Sequence, residues 1–546
     1  MGIMQRLGGF LKGSAPAPKA AYFQGGRNPL MVGWRPALRE QSQDVQRAWV
    51  DAAARAQEGI QNSGFLTRVL EVECGSVVGA GLRLACRPDY EALGWTREEA
   101  ATWSRNVENR FRAYGDNPVE CDAAGKMTFG KQQQAAYASW KTFGEVLGLM
   151  PIIDRPASIS KTKVLLIPPS RLIQKNDELN NVVQGVKTDG WGFPQSYFIN
   201  EKDQLFGWKE REIAAYDRDG RPNVIHLFDS SIATNRGISP LTPILKVIRQ
   251  VDQYADATLT KALIQTIFAA TIRTPMRGIE AFEGLMTTGD TGGVDIKAFT
   301  DQKGEWYDGA KIDLTQHGRL AHLFPGDELD FTESKSPSGQ FDQFMGWLMR
   351  EIAAGAGVTY ESATGDFRGA TYSSIRMGGA MEWLGVLRRR ANIIIPFCQA
   401  IYNAWLEEEI FTGRIPFKGG YFAFLAKRAS ATRSTWSGPA QPQADDFKAA
   451  RSHQVLKVMG ATTLADIAAS YGRDWDDDMR QRAAENALAD ELDLPRPWSP
   501  VTMLETKDGQ DKALEDPPAD AVPSPKPAGA SADELEAELE ASISGD

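Results

Sequence analysis

The chain has 546 residues, a net charge of −10 and four cysteines. That length holds roughly two to four domains with a sizeable core, and its 42% apolar and 24% charged residues are ordinary for a soluble globular protein. The acidic balance excludes a protein that grips nucleic acid broadly through its phosphates, which takes a basic surface. No apolar run of about 18 residues is present for a membrane span. Cys74, Cys86, Cys121 and Cys398 form no Cys-x-x-Cys pair, so they read as free thiols of a reducing compartment.

Residues 1 to about 40 are rich in Gly, Pro and Ala, with scattered aromatics, and read as an extended arm. Arg6 and Lys12 stand there without an apolar core of signal-peptide length, so cytoplasmic synthesis is expected. Gln43 to Gln57 is helical in pattern, with Val45, Trp49 and Ala53 on one side. Thr67 to Leu84 is β-branched and Gly-rich, more strand than helix. Helices are expected over Thr96–Tyr114, where Thr96 and Glu99 form a capping-box pattern, and over Thr128–Leu147. Leu165–Leu172, Gly192–Ile199 and Asn223–Phe228 read as strands, which makes the region up to about 235 α+β.

Arg236-Gly237-Ile238-Ser239-Pro240 then supplies a sharp turn, a capping serine and a proline suited to a first helical position. A helix is expected from Pro240 to Arg273. Periodicity is lost from Thr274 to Lys335, with a Gly-rich tip at 289–293 and a hairpin signal that pairs Arg319–Phe324 with Leu329–Thr332. Phe341, Phe344, Met345, Leu348 and Ile352 mark one face of the next helix, which stops at Gly355 and Gly357. A loop from Val358 to Ala370 leads into a helix capped by Thr371 or Ser373 that runs to Phe411, about 60 Å at 1.5 Å per residue. Pro396 lies inside it, so a kink is expected. Mixed structure, a Ser/Thr/Trp/Pro linker and helices over Asp445–Val458, Thr463–Tyr471 and Trp475–Leu492 complete the chain before a Pro/Ala-rich acidic tail.

Chemistry is sparse. There is no Gly-x4-Gly-Lys-Ser/Thr phosphate loop and no Gly-x-Ser-x-Gly elbow. His226, His317, His322 and His453 lack metal-ligand spacing, and Asp476-Asp477-Asp478 reads as an acidic helix start. No catalysis, cofactor or metal is expected. A terminase-like motor enzyme is disfavoured by the missing phosphate loop.

Four stretches, in this order, carry a resemblance. They are Arg236–Leu241, then Leu323-Phe324-Pro325-Gly326-Asp327, then Ile352–Glu361, and last Ala370–Ser374 with Arg376, leading to Trp405-Leu406-Glu407-Glu408. With that order and spacing the chain resembles the phage portal (head-to-tail connector) proteins of the lambda type. The resemblance implies a mainly helical α+β fold that assembles as a ring, typically of twelve subunits, at one capsid vertex. Double-stranded DNA would pass through it without sequence specificity. It also implies docking of terminase, of major capsid or scaffold protein, and of a head-completion or tail-adaptor protein, with no membrane. By position, 1–59 would be an N-terminal arm, 60–238 the wing, 239–273 and 338–356 the stem helices, and 274–337 the clip. Residues 357–371 would be the tunnel loop, 372–411 the long kinked wing helix, 412–505 the crown and 506–546 an acidic tail.

The expected site residues follow from this placement. Glu361, Asp366, Phe367 and Arg368 lie on the tunnel loop, where Arg368 would either form a ring of positive charge or pair with Glu361 or Asp366. Arg236, Gly237, Ser239 and Pro240 form the stem turn, with Arg236 either clamping a carboxylate or serving as a plain turn residue. Arg388, Arg389 and Arg390 form either a DNA-facing basic face or, the favoured reading, a solvated helix face or a set of intersubunit ion pairs. The competing expectation is a minor capsid or head-morphogenesis protein that forms no channel.

Overall fold

The computed structural model describes residues 37–156, 158–203, 207–230, 234–267, 270–273, 328–331, 339–442 and 446–498, with the single positions 232, 301 and 305. The fold is mainly helical α+β, in two compact units, Met1–Trp475 and Asp476–Asp546.

Helix α1 (Gln41–Asn62) buries Val45, Trp49 and Ala53, the expected face. The next segment corrects the sequence reading, because Gly64–Val77 is helix α2 and not a strand. Its buried residues Leu66, Val69, Glu73 and Val77 recur every three or four positions. The helical penalty of a few β-branched residues is small beside the burial of that face. Gly75 lies inside the helix, and Gly79 (φ 57°) and Gly81 (φ 123°) fall after it, where they turn the chain into strand β1 (Arg83–Cys86). Helix α3 (Arg97–Asp116) starts on the expected capping box. Thr96 accepts from the Glu99 N–H at 3.1 Å, and Glu99 accepts from the Thr96 N–H at 2.8 Å.

Helix α4 (Phe129–Phe143) ends four residues earlier than expected, at left-handed Gly144 (φ 85°). The remainder is strand β2 (Glu145–Leu149), buried along its whole length. β2 lies between β3 (Leu165–Ile167) and a later strand, Val224–Phe228, in an antiparallel sheet. Before that later strand comes a four-stranded antiparallel sheet of β4 (Val182–Val183), β5 (Val186–Thr188), β6 (Pro194–Asp203) and β7 (Gly207–Ala214), in that order. Val224–Phe228 is then β8.

A single 3-10 turn at Thr242–Ile244 leads to helix α5 (Leu245–Ile267). The expected helix to Arg273 is shorter, since Ala270–Arg273 is strand β9, paired antiparallel with β10 (Glu328–Phe331). Arg319–Phe324, the Gly-rich tip, His317 and His322 lie outside the described residues, and the described partner of Leu329 is Ile272.

Helix α6 (Gly339–Ala356) precedes a loop that holds one short helix, α7 (Tyr360–Thr364). The long rod is composite, made of α8 (Tyr372–Arg389), a π-turn at Arg390–Ile394, and α9 (Ile395–Phe411). Pro396 has no N–H for the carbonyl four residues back, and the wider turn sits immediately before it. Strand β11 (Ser434–Ser437) returns to pair with β1. Helices α10 (Asp446–Val458) and α11 (Leu464–Ser470) follow. Helix α12 (Trp475–Glu491) opens on the three expected acids, and Arg480 binds Asp476 at 2.9 Å.

Among the described residues four clusters of buried apolar side chains hold these elements, the first of them around α9. α9 is enclosed, and Trp405 and Tyr402 meet Phe111 edge-on at 5.0 and 5.6 Å. Such aromatic pairs add about 0.5–1.5 kcal/mol each beyond the area they bury. The second core joins α2, α5, α6 and α7 through Leu66, Val69, Ile244, Ile248, Leu348, Ile352 and Ala363. α8 differs, because Met377, Met381 and Leu384 are 62–69% exposed along one stripe.

Candidate functional site: a loop mounted on buried ion pairs

Arg236 is fully buried beneath the turn that starts the α5 region. Its Nε donates to both carboxylate oxygens of Glu145, at 3.0 and 2.9 Å, and its Nη2 donates to Glu145 as well. Further bonds reach the carbonyls of Gln184 (3.2 Å) and Pro169 (3.4 Å), and the Trp49 ring lies 4.4 Å from the guanidinium carbon. His226 Nε2 lies 2.9 Å from Glu145 Oε2. Burial pushes the Glu145 carboxyl up, but the Arg236 charge and the bonds from His226 and Arg236 outweigh it and hold it below the usual carboxylate range. Of the two readings open from sequence, Arg236 takes the clamp, onto a carboxylate of its own chain. The turn itself is tight. A Cβ on Gly237 would collide with the Gly144 carbonyl, and one on Gly144 with the Ile238 backbone. Ser239 accepts from the Leu241 N–H at 3.2 Å and donates to the Lys141 carbonyl at 2.9 Å, and Pro240 is half-buried beside it.

A second buried pair stands at the end of α6. Glu73 of α2 binds Lys141 Nζ at 2.7 Å and Arg389 Nη1 at 2.8 Å, and accepts from the Tyr137 hydroxyl at 3.3 Å. Both cations also donate to the Ala356 carbonyl, at 3.0 and 3.1 Å. Burial lowers the Lys141 pKa against the pull of Glu73. The unpaired carbonyls of a helix C-terminus attract cations, so this network fixes the end of α6 to α2, α4 and α8 at once.

Arg390, one residue on, donates to the carbonyls of Val77 (2.8 Å), Ser76 (2.6 Å) and Pro439 (2.8 Å) and lies over Trp383 at 4.9 Å. Burial lowers its pKa to about 10, which leaves it charged at neutral pH. The basic face expected of Arg388, Arg389 and Arg390 is therefore corrected. Arg388 is exposed, while Arg389 and Arg390 are buried and committed to groups of their own chain.

From this anchor the loop begins at Gly357 (φ 81°), where a Cβ would strike Arg389. Thr359 caps α7, accepting from the Ser362 N–H at 3.2 Å. Glu382 of α8 accepts from the Thr359 N–H (3.3 Å) and the Ser362 hydroxyl (3.1 Å). Glu361 lines a cleft of about 690 Å³ between the loop, α8 and α10. Arg368 donates Nε (2.9 Å) and Nη2 (2.8 Å) to Asp366, while 83% of its side chain stays exposed. The hydrogen bond from Arg368 pushes the Asp366 carboxyl down to about 2. Phe367 between them is 56% exposed. Thr371 then caps α8 with Ser374 in a capping box.

Glu361, Asp366, Phe367 and Arg368 thus share one exposed loop, and Arg236, Gly237, Ser239 and Pro240 share one buried turn. Lys141 and Glu73, the partners of Arg389 in the anchor, are residues that sequence reasoning missed. A buried lysine carries no periodic signature, and its partners are distant in sequence. Among the described residues no group of three or more His, Cys, Asp or Glu side chains could hold a metal ion, and no helix is long and apolar enough to cross a membrane.

These features define a scaffold that carries a charged loop on a rigid base. A family model described as phage portal protein, lambda family, matches residues 27–390, so the chain belongs to the lambda family of phage portal proteins. That family is structural, and the role of the chain is that of a portal connector in the phage particle. The chain is similar to the portal protein of Escherichia phage N15, 24% identical over 478 residues that cover 85% of this chain and 88% of that one. It is equally similar to portal protein B of Escherichia phage lambda, 24% identical over 480 residues, 85% and 89% of the two chains. Among solved structures it is similar to a chain from the neck of a native gene transfer agent particle computed with C12 symmetry, with TM-score 0.43, 13% identity, and 82% and 94% of the two chains covered.

Proposed function

We propose that this chain forms a closed ring at one capsid vertex, with double-stranded DNA passing through the centre during packaging and ejection. The observation that carries this reading is membership of the portal family, across residues 27–390. Exposed apolar side chains on the rods support it. Leu259 on α5, Phe344 and Trp347 on α6, and Met377, Met381 and Leu384 on α8 are uncovered in one protomer, and lateral packing in a ring would cover such stripes. In this reading twelve copies close the ring, 60–238 and 372–411 form the wing, and 239–273 with 338–356 form the stem. Residues 274–337 form the clip, which meets terminase and later a head-completion or tail-adaptor protein. Residues 412–505 form the crown, and the capsid or scaffold protein contacts the outside.

The loop 357–371 faces the DNA, with Arg368 repeated once per subunit. Sparse rings of positive charge in an acidic protein let a polyanion slide, because each held phosphate adds a barrier to movement. The chain performs no catalysis of its own and takes no cofactor. Electron microscopy of the purified protein, with light-scattering mass on the same sample, tests this. Rings with a central hole of about 20 Å or more, the width of a duplex, are expected. A monomer at high concentration across a range of salt overturns the reading in favour of a minor capsid protein without a channel.

A further inference from the structure

One end of the four-stranded sheet holds four apolar side chains in solvent. Leu179 and Trp191 are each 97% exposed, Phe193 54% and Tyr216 40%. Antiparallel pairing brings them together. The Thr188 N–H at the end of β5 donates to the Asn181 carbonyl just before β4 at 3.1 Å, and Phe193 stacks on Tyr216 at 5.4 Å with the rings 12° apart. Trp191 sits on a built turn. The Asp189 carboxylate accepts from the N–H groups of Trp191 and Phe193, both at 2.8 Å. The Asp189 N–H donates to the Phe193 carbonyl at 2.9 Å, and Gly192 takes φ 89°. The turn therefore presents its indole outward. Around it stand Asp177, Glu178, Asp189, Asp217 and Asp219, against Lys187 and Arg218. An exposed aromatic patch marks an interaction site, and an acidic rim selects a cationic partner.

The chain contains a segment of that chemistry. Residues 1–36 carry Arg6, Lys12, Lys19, Arg27 and Arg35 with no Asp or Glu, interleaved with Leu7, Phe10, Tyr22, Phe23 and Trp34. At about 3.3 Å per residue, such a segment spans on the order of 100 Å. It joins the described chain just before α1, whose Trp49 lies on the same Arg236 that bonds the Gln184 carbonyl between β4 and β5. The cleft beside the loop is a poorer match, because Arg68, Arg376 and Lys448 line it.

We propose that residues 1–36 dock on this sheet end of their own chain, with aromatic side chains against Trp191, Phe193 and Tyr216 and cations on the acidic rim. This holds whether or not the chain closes into a ring.

The test is hydrogen exchange on the full chain and on a full-length variant with Arg6, Lys12, Lys19, Arg27 and Arg35 each changed to Glu. Exchange over 177–193 and 215–219 is expected to rise about tenfold or more in the variant, the equivalent of about 1.4 kcal/mol, with α3 unchanged. In a mixture of isotope-labelled and unlabelled full chains, carbodiimide should join Lys12 or Lys19 to Asp189 or Asp217 within single-label chains. Trp191→Ser should reduce that product about tenfold. Unchanged exchange in the charge-reversed variant overturns the proposal, and so do mixed-label products, which would assign the patch to a second copy.

Discussion

Arg236 and Arg368 make the same kind of ion pair in opposite surroundings. Each guanidinium donates two nitrogens to one carboxylate, Glu145 in the first case and Asp366 in the second. The first pair is wholly buried, whereas 83% of the Arg368 side chain is open to water. Water screens the exposed pair, so its geometry shapes the loop and adds little to stability. The buried pair cannot lose a member without stranding a charge. Identical chemistry therefore serves as a fixed joint at one place and as a displaceable contact at the other.

The largest effect is expected from Arg236→Ala, which leaves Glu145 buried and faced only by His226. A loss of about 3–5 kcal/mol in chemical denaturation follows from such a broken buried pair. A loss below about 1 kcal/mol would break the contrast. Arg389→Ala should cost less, about 1–3 kcal/mol, because Lys141 still faces Glu73 and the Ala356 carbonyl. Hydrogen exchange at 357–364 should rise in this variant, and an unchanged loop would remove Arg389 from the anchor.

Arg368→Ala should leave the denaturation midpoint where it was. Under the channel reading its readout is packaging, measured as protected DNA per particle, and Arg368→Lys should restore much of what alanine loses. The smallest effect concerns pH. The Asp366 carboxyl is lowered to about 2, so its pair with Arg368 is fully formed above the ordinary aspartate range. It is lost only as pH falls through about 2. A carboxyl NMR titration that found Asp366 protonating at its ordinary value would show that the pair is not held in solution.

Local signals in the sequence were readable where the chain's neighbours supply the physics. The Thr96–Glu99 box, the Thr371 cap and the Val45–Trp49–Ala53 face all depend on residues within a turn or two. α2 was misread because residue type outweighed spacing. Its β-branched positions suggested a strand, while Leu66, Val69, Glu73 and Val77 already stood at helical intervals. The break between α4 and β2 depends on Gly144, whose left-handed turn is required by the approach of Ile238 from far along the chain. The charged anchors were illegible for the same reason. Glu145 and Arg236 are 91 positions apart, and Arg390 bonds Val77 across 313. No local pattern reports which arginine of a triplet turns inward.

The composite rod has a mechanical consequence. α9 is clamped on every side, α8 begins in open solvent, and the π-turn with Arg389 and Arg390 marks the boundary between them. That arrangement is a cantilever. The exposed beam, residues 372–381, is about 15 Å long at 1.5 Å per residue, before Glu382 ties α8 to Thr359 and Ser362. A sideways force on its tip is delivered as torque at the clamp. There Arg389 also holds the carbonyls of Ala356 and Gly357, at the root of the loop. A push on the far end of α8 and a pull on the loop therefore load the same hinge.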